Sequence, residues 1–339
     1  MEIKLKKNFD TEVFKAWSKI EKQNNLLIFQ NYKWNHEWSI CNNYKNNLRI
    51  IIVYIKNEPA LIFPFFIKKF LFLKIISWIG NDLSDYLSPV VNKTIEIDSD
   101  IFNDIWKKVL IILKVDSDII LLNKQLKDMN YMQNPITKYL NCKSYDFTYG
   151  INFNKLNSIV NKKGKTIQKI KWSKKKLSKY GKLGFENNIR FENKTSLISK
   201  ILFWKKKTIN PKQNIFKIYN ENFFKKFIER KDIIFSGIKL NNKYISLSLN
   251  ISDKQNTLYY IPAYTDEKIF QKYSPGKIHM YDLINENKKY GIEYFDFGNG
   301  NEQYKSSWAN DKKKIYYYIK SLSFFGSIFF FIYNYKKKY

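Results

Sequence analysis

Cysteine and histidine are almost absent from this 339-residue chain, which holds only Cys41, Cys142, His36 and His279. The two cysteines are far apart and lack Cys-x-x-Cys spacing, so neither a disulfide framework nor a zinc ribbon is supported. Two histidines do not make a multi-histidine metal centre, and no bound metal is expected. No stretch reaches the ~18–20 uninterrupted apolar residues of a membrane-spanning helix. The opening Met1-Glu2-Ile3-Lys4-Leu5-Lys6-Lys7 has no apolar core of the kind a secretory leader needs. Apolar residues nonetheless make up 44% of the chain and aromatics 18%, which excludes general disorder. A soluble, cytoplasmic protein of about two domains is expected.

Arginine and alanine are scarce as well. Arginine occurs only at Arg49, Arg190 and Arg230, and alanine only at Ala16, Ala60, Ala263 and Ala309. The formal charge of +30 is therefore almost entirely lysine, beside a surplus of Asn, Ile, Phe and Tyr. That skew fits a bias toward AT-rich codons better than selection for nucleic acid, whose readers favour the bidentate fork of arginine. A general attraction to anionic surfaces follows from the charge in either case.

Along the first half, residues 10–45 read as mostly helical. The β-branched run 49–55 and the segment Ala60 to Phe65 read as a hairpin around Lys56-Asn57-Glu58-Pro59. A further apolar stretch covers 70–79, Asp85 to Val91 reads as a short strand, 100–113 as an amphipathic helix and 117–122 as a strand. From 154 to 180, Leu156, Val160, Ile167, Ile170 and Leu177 recur on one helical face, with Gly164 a weak point in that helix. Gly164-Lys165-Thr166 is like the end of a phosphate-binding P-loop, but Ile159 stands where that motif needs glycine.

The segment 233–298 carries the chemistry. Strands 233–240 and 243–251 meet at Asn241-Asn242, residues that tolerate positive φ. A turn leads to the strand Thr257–Tyr264, then a polar loop, Tyr273-Ser274-Pro275-Gly276, and a helix from about Lys277 to Tyr290 stopped by Gly291. Ile292 to Phe297 is the next strand. A loop opening onto a helix in this way leaves backbone N–H groups and the helix dipole facing outward, an anion site suited to a pyrophosphate. Pro262 cannot donate to a ladder, so it marks a bulge or an edge. An ordinary βαβ turn has the same spacing.

Tyr273-Ser274-Pro275-Gly276-Lys277, followed by a helix, Gly291 and Phe295-Asp296-Phe297-Gly298-Asn299-Gly300-Asn301-Glu302-Gln303-Tyr304-Lys305-Ser306-Ser307-Trp308, resembles the C-terminal signature of the CelD-like acetyltransferases. That family belongs to the GNAT superfamily and is associated with cellulose and other polysaccharide synthesis. Phe29-Gln30-Asn31-Tyr32-Lys33-Trp34 through Trp38, the strand holding Pro64, and Trp78-Ile79-Gly80 followed by Asp85-Tyr86 are similar to its pattern too. The resemblance spans 29–308. It implies an α+β or α/β fold of tandem GNAT-like units, related to the FemABX transferases, each a mixed and mostly antiparallel sheet flanked by helices. The boundaries expected are 1–148 for an acceptor-side unit, 149–320 for a unit with the acyl-CoA site, and 321–339 for an aromatic and basic tail.

The resemblance implies acetyl-CoA or another acyl-CoA as donor. Ser274, Pro275, Gly276, Lys277 and Ile278 would face its pyrophosphate. Backbone amides from Ile261 through Ala263 to Tyr264 would polarise the thioester carbonyl. Tyr304 and Lys305 hold the place of an aromatic–lysine pair that stabilises the tetrahedral intermediate in FemABX enzymes. An acceptor must also lose a proton, for which Asp85, Asp296 and Glu302 are the candidate carboxylates. Asp85 also suits a turn cap, and Asp296 a buried hydrogen-bonding group. The implied acceptor is a small-molecule or lipid-linked sugar amine or hydroxyl. Two alternatives stay open: aminoacyl transfer from tRNA, and a non-catalytic lysine-rich module on nucleic acid or membrane. The segment Leu322–Tyr335 with Lys336-Lys337-Lys338 suits peripheral contact with the inner face of an anionic membrane, and equally a terminal element packed on the core.

Overall fold

The computed structural model describes residues 1–129, 132–158, 164–189, 192–208 and 221–336. Two compact units emerge, one formed by Met1–Phe147 with Lys313–Tyr339 and the other by Thr148–Lys312. The first holds β1 (Glu2–Lys6), β2 (Leu48–Ile55), β3 (Glu58–Phe70), β4 (Leu73–Trp78), β5 (Val90–Val91), β6 (Ile119–Gln125), β7 (Asp128–Met129) and β8 (Met132–Gln133). Strand β9 (Lys143–Asn152) leads into the second unit. There follow β10 (Leu183–Asn187), β11 (Ile233–Leu240), β12 (Lys243–Ser252), β13 (Asn256–Tyr264) and β14 (Tyr294–Asn299). Strand β15 (Asp311–Ser321) returns the chain to the first unit.

Each unit repeats one plan. In the first the strand order is β1-β2-β3-β4-β6-β15, antiparallel except for the parallel neighbours β4 and β6. In the second it is β10-β11-β12-β13-β14-β9, with β13 and β14 the parallel pair. Parallel neighbours need a crossover, supplied by the helix Ser99–Lys114 in one unit and Pro275–Lys289 in the other. The first of these is amphipathic: Phe102, Ile105, Trp106, Val109 and Leu113 are buried, and the Asp98 carboxylate caps its start by accepting from Ile101 N–H. Strand β2 is buried on both faces over Leu48–Val53, which is why it reads as a continuous β-branched run.

Three local expectations are corrected. Gly164 heads the helix Gly164–Leu177 rather than interrupting it, Leu156 lies in a preceding 3₁₀ turn, and Val160 falls outside the described residues. The segment 313–336 belongs with the first unit: Ile315, Tyr317 and Tyr318 are buried, and β15 pairs with β6. The helix Phe324–Lys336 then sets Phe329 against Leu73, Ile75 and Ile119. Of the strand read over Asp85–Val91, only Val90–Val91 pairs.

The residues before that pair have a different use. Strands β4 and β6 share only Ile75↔Ile119 and Ile76↔Ile120. Farther along β6 the partner is the segment 81–88: Leu87 N–H donates to the Lys124 carbonyl at 2.9 Å, and Lys124 Nζ donates to the carbonyls of Asn81 at 2.6 Å and Ser84 at 2.9 Å. Trp34 Nε1 donates to Ser84 Oγ and Trp38 Nε1 to the Asp82 carboxylate, so both tryptophans tie this segment down.

Gly326 tests how the C-terminal helix is seated. A Cβ there would collide with the backbone carbonyl of Asp118, which already accepts from Leu322 N–H. Gly326→Ala should lift the helix, seen as a rise in amide exchange over 324–336 with β2 and β3 still protected. Unchanged exchange there would show that the helix is not held by this contact.

Candidate active site

Strand β13 pairs with β14 at only three positions, Asn256↔Tyr294, Thr257↔Phe295 and Leu258↔Asp296. Past Leu258 the two strands part. The register of β13 on β12 shifts between Leu249 and Ile251, which puts the irregularity at Tyr259–Tyr260. Pro262 is therefore not the bulge; it pairs with Ser248 in the stretch that β14 leaves, where a missing N–H is tolerated. The loop after β13 is fastened by Thr265 N–H to the Ile245 carbonyl at 2.9 Å and by Gln271 Nε2 to the Thr265 carbonyl at 3.1 Å. It ends at Ser274, held in the left-handed region at φ 52°, with Pro275 opening the helix.

The start of that helix faces a cavity of about 460 Å³. Tyr259, Pro262 and Tyr264 line it from β13, Ser274 to Lys277 and Met280 from the helix, and Lys205, Glu302 and Tyr304 from other elements. In the first turn Pro275 has no N–H and the Lys277 and Ile278 N–H groups donate to the Ser274 carbonyl at 2.9 and 3.3 Å, which leaves the Gly276 N–H, while the dipole adds partial positive charge. Gly276 keeps the backbone close to β13, since a Cβ there would sit 3.2 Å from the Tyr264 ring. The cavity thus suits an anion with an apolar extension. A cavity of about 490 Å³ lies at the other end of the same helix, lined by Asp253, Glu286 and Asn287 among others. The helix C-terminus and two carboxylates make it hostile to anions despite its size.

Beyond β14, Lys305 is buried, and its ammonium contacts three oxygens: the carbonyls of Asn299 at 2.7 Å and Gly298 at 3.4 Å, and the Glu302 carboxylate at 2.8 Å. An ammonium has three donors, and these contacts fix the Gly298–Glu302 turn. Lys205, on the helix Lys194–Thr208 that packs against β13, reaches the cavity itself. Burial pulls its pKa down to about 8; the Glu302 carboxylate opposes this and the Lys305 charge adds to it. Tyr259 is buried at the cavity wall, and burial raises its hydroxyl pKa well above the ordinary value, so it stays protonated.

The helix is bolted to the sheet by His279. Ser246 Oγ donates to the Ala263 carbonyl at 3.0 Å, so its proton is spent and it accepts from His279 Nδ1 at 3.0 Å. Nε2 is then the acceptor and takes the Ser236 hydroxyl proton at 2.9 Å, while Ser236 accepts from Asn250 Nδ2 at 3.0 Å. The network assigns the neutral Nδ1–H tautomer. Burial pushes the imidazole pKa down to about 3.

Of the residues singled out in the sequence, Ser274, Pro275, Gly276, Lys277, Glu302 and Tyr304 are brought together at the cavity. Ile261, Ala263 and Ile278 are adjacent in the chain, but their side chains are buried, the Ile278 N–H donates to the Ser274 carbonyl and the Ala263 carbonyl accepts from Ser246 Oγ. Asp85 lies in the first unit, where its charge raises the pKa of Lys124 against the lowering effect of burial. Asp296 accepts from Gly298 N–H at 2.8 Å and Thr148 Oγ1 at 3.2 Å, a structural use. Lys205 escaped sequence reasoning: it is one lysine among many, and only the packing of its helix on β13 marks it.

Residues 164–306 match the family described as acetyltransferase (GNAT) domain. In three dimensions the chain is similar to FemX, with a TM-score of 0.56 at 14% identity over 94% of this chain and 98% of that one. It is similar to L-PGS from Bacillus licheniformis, at 0.54 and 10% identity over 91% of each chain. A conserved protein of unknown function from Bacteroides thetaiotaomicron VPI-5482 gives 0.54 at 12% identity, over 95% of this chain and all 100% of that one. No curated protein matches in sequence. The fold is of the GNAT type, mixed sheets flanked by helices, and the plan matched in the second unit recurs in the first.

His279 gives the stability a pH signature. Its pKa is about 3 folded against about 6.5 in the unfolded chain, so below pH 6.5 only the unfolded state gains the proton. Its contribution is whole above pH 6.5 and falls as pH drops toward 3, with a slope approaching about 1.4 kcal/mol per pH unit. His279→Asn should flatten the wild-type decline between pH 6.5 and 4.5 in urea unfolding. It should also cost about 2 kcal/mol at pH 7 through orphaned hydroxyls. A variant that keeps the full slope would remove His279 as its source.

Proposed function

We propose that this chain is an acyltransferase that takes an acetyl or other acyl group from acyl-CoA to a sugar amine or hydroxyl in surface-polysaccharide synthesis, in the manner of the CelD-like enzymes it resembles. The observation that carries the reading is a helix N-terminus facing a cavity where two parallel strands part, inside the region that matches the GNAT acetyltransferase domain. Acyl-CoA supplies an activated thioester. Where Ser274, Pro275, Gly276 and Lys277 line the cavity, the Gly276 N–H, the positive end of the helix dipole and the Lys277 ammonium would hold its pyrophosphate; the N–H groups of Ser274 and Lys277 already donate to the Gln271 and Ser274 carbonyls. Lys205 as the neutral amine takes the proton that the acceptor loses as it attacks the thioester carbonyl; the C–S bond then breaks, and CoA leaves as the thiolate, to which the Lys205 ammonium returns that proton. Tyr304 offers its hydroxyl to the charge developing on the former carbonyl oxygen. Lys305 is a positioning residue that holds the Gly298–Glu302 turn beneath Tyr304.

A second reading, aminoacyl transfer from tRNA, is favoured by the net charge of +30. The first test separates the two. Acetyl-CoA at 100 times its dissociation constant should stabilise the protein by about 2.7 kcal/mol in a thermal-shift titration. The shift should survive moderate salt, with one molecule bound per chain, because in the first unit segment 81–88 already bonds along β6. Stabilisation by tRNA or polyanion alone, lost as salt rises, would sink the acyl-CoA reading.

The proton acceptor gives the second test. The rate of acyl transfer should rise with pH to a plateau with a midpoint near 8, as Lys205 deprotonates. Glu302→Gln removes the charge that raises this pKa, so the midpoint should move to lower pH. Lys205→Ala should lower turnover by about 10²-fold or more. A Glu302→Gln profile identical to wild type would take Lys205 out of the proton path.

A further inference from the structure

The first unit leaves an apolar surface uncovered. The turn between β3 and β4 carries Phe70, Leu71 and Phe72, and the last two are 81% and 73% exposed. Phe70 meets Phe329, and Phe72 meets Phe325, at ring-centroid distances of 6.2 and 5.8 Å, so the turn and the helix Phe324–Lys336 form one surface. The helix packs inward through Gly326 and Phe329. Its outer side shows Phe324 and Phe331, each 77% exposed, with Ile328 between them. A helix apolar on both sides is ordinarily covered on both, and a contiguous apolar patch of this kind marks an interaction site.

Charge decides what covers it. Lys68, Lys69 and Lys74 flank the turn and are exposed, and the sequence after the helix continues with lysine. A second copy would bring together two such rims on chains that each carry a formal charge of +30. An anionic bilayer instead takes the aromatic side chains below its headgroups and pairs the lysines with phosphate. The helix, 13 residues and about 20 Å long, is too short to cross the ~30 Å hydrocarbon layer, which leaves it lying in the interface. We propose that the β3–β4 turn and the C-terminal helix together dock this protein on an anionic phospholipid membrane. The proposal stands whether or not the second unit transfers an acyl group.

Flotation of the full chain with phosphatidylcholine vesicles, with and without phosphatidylglycerol, tests it. Binding is expected only to the anionic vesicles. Leu71→Ser with Phe72→Ser, and separately Phe324→Ser with Phe331→Ser, should each lower partitioning at least about tenfold. Lys68→Gln with Lys69→Gln should weaken binding less. All six residues are exposed, so circular dichroism should be unchanged. Undiminished binding by both apolar variants would overturn the proposal, because lysine anywhere would then suffice. So would equal binding to neutral vesicles. Absence of vesicle binding, with a sedimenting dimer that the same variants dissociate, would assign the surface to a second copy instead.

Discussion

The parting of β13 from β14 is the constraint from which the candidate site follows. Both strands are irregular at the same level. The register of β13 on β12 shifts beside Tyr259, and that of β14 on β9 shifts between Asp296 and Asn299. Asp296 and Thr148 hold the second irregularity: Thr148 Oγ1 donates to the Asp296 carboxylate and to the Gly298 carbonyl, and Gly298 N–H donates back to Asp296. Gly298 then takes φ 73° and Gly300 φ 122°, values that a side chain resists. A carboxylate that looks catalytic by its place in the motif is spent on bending a strand. That bend makes room for the helix start to face an open cavity instead of a ladder.

Rigidity and charge act together there. His279 lies in the first turns of the helix and is bonded from both ring nitrogens to neighbouring strands, so its N–H groups are aimed by the sheet rather than by the loop. The neutral tautomer matters, because a charged imidazole would sit without a counter-ion among serine hydroxyls. Lys205 and Lys277 line the cavity with the Glu302 carboxylate, which the buried Lys305 ammonium also contacts. Burial, not this charge balance, lowers the Lys205 pKa: the Glu302 carboxylate raises it by more than the Lys305 charge lowers it.

What the sequence makes legible is local. The Asn241-Asn242 hairpin, with Asn241 at φ 52°, the Ser274-Pro275-Gly276 entry and the Gly291 stop each depend on the conformational limits of a few residues, and each falls where those limits put it. The order of strands around the crossover helix is legible for the same reason. Non-local pairing is not: nothing in Ile315, Tyr317 or Tyr318 says that their strand returns to β6 in the first unit. Composition misleads in one place, where Asp85 to Val91 reads as a strand but only Val90–Val91 pairs, while Leu87 N–H donates to the Lys124 carbonyl beside a segment, 81–84, that Trp34, Trp38 and Lys124 tie down. Lys205 is hidden by abundance, because a chain this rich in lysine gives no single one a signature.

The two units show what one plan becomes when its gap is used differently. In both, a lysine ammonium near the diverging strand binds a pair of backbone carbonyls: Lys305 those of Gly298 and Asn299, Lys124 those of Asn81 and Ser84. In the second unit the carbonyls belong to the last two residues of β14, and the gap stays open. In the first they belong to a segment bonded along β6 itself, and the gap is taken by the chain. Lys124 sits on that strand at φ 57°, a backbone conformation costly for a lysine, which fits a position where closure by the segment offsets local strain. Among the described residues, the chain thus fills one of the two partings with its own backbone and leaves the other open. The uncovered aromatic turn and helix both belong to the unit whose gap is filled.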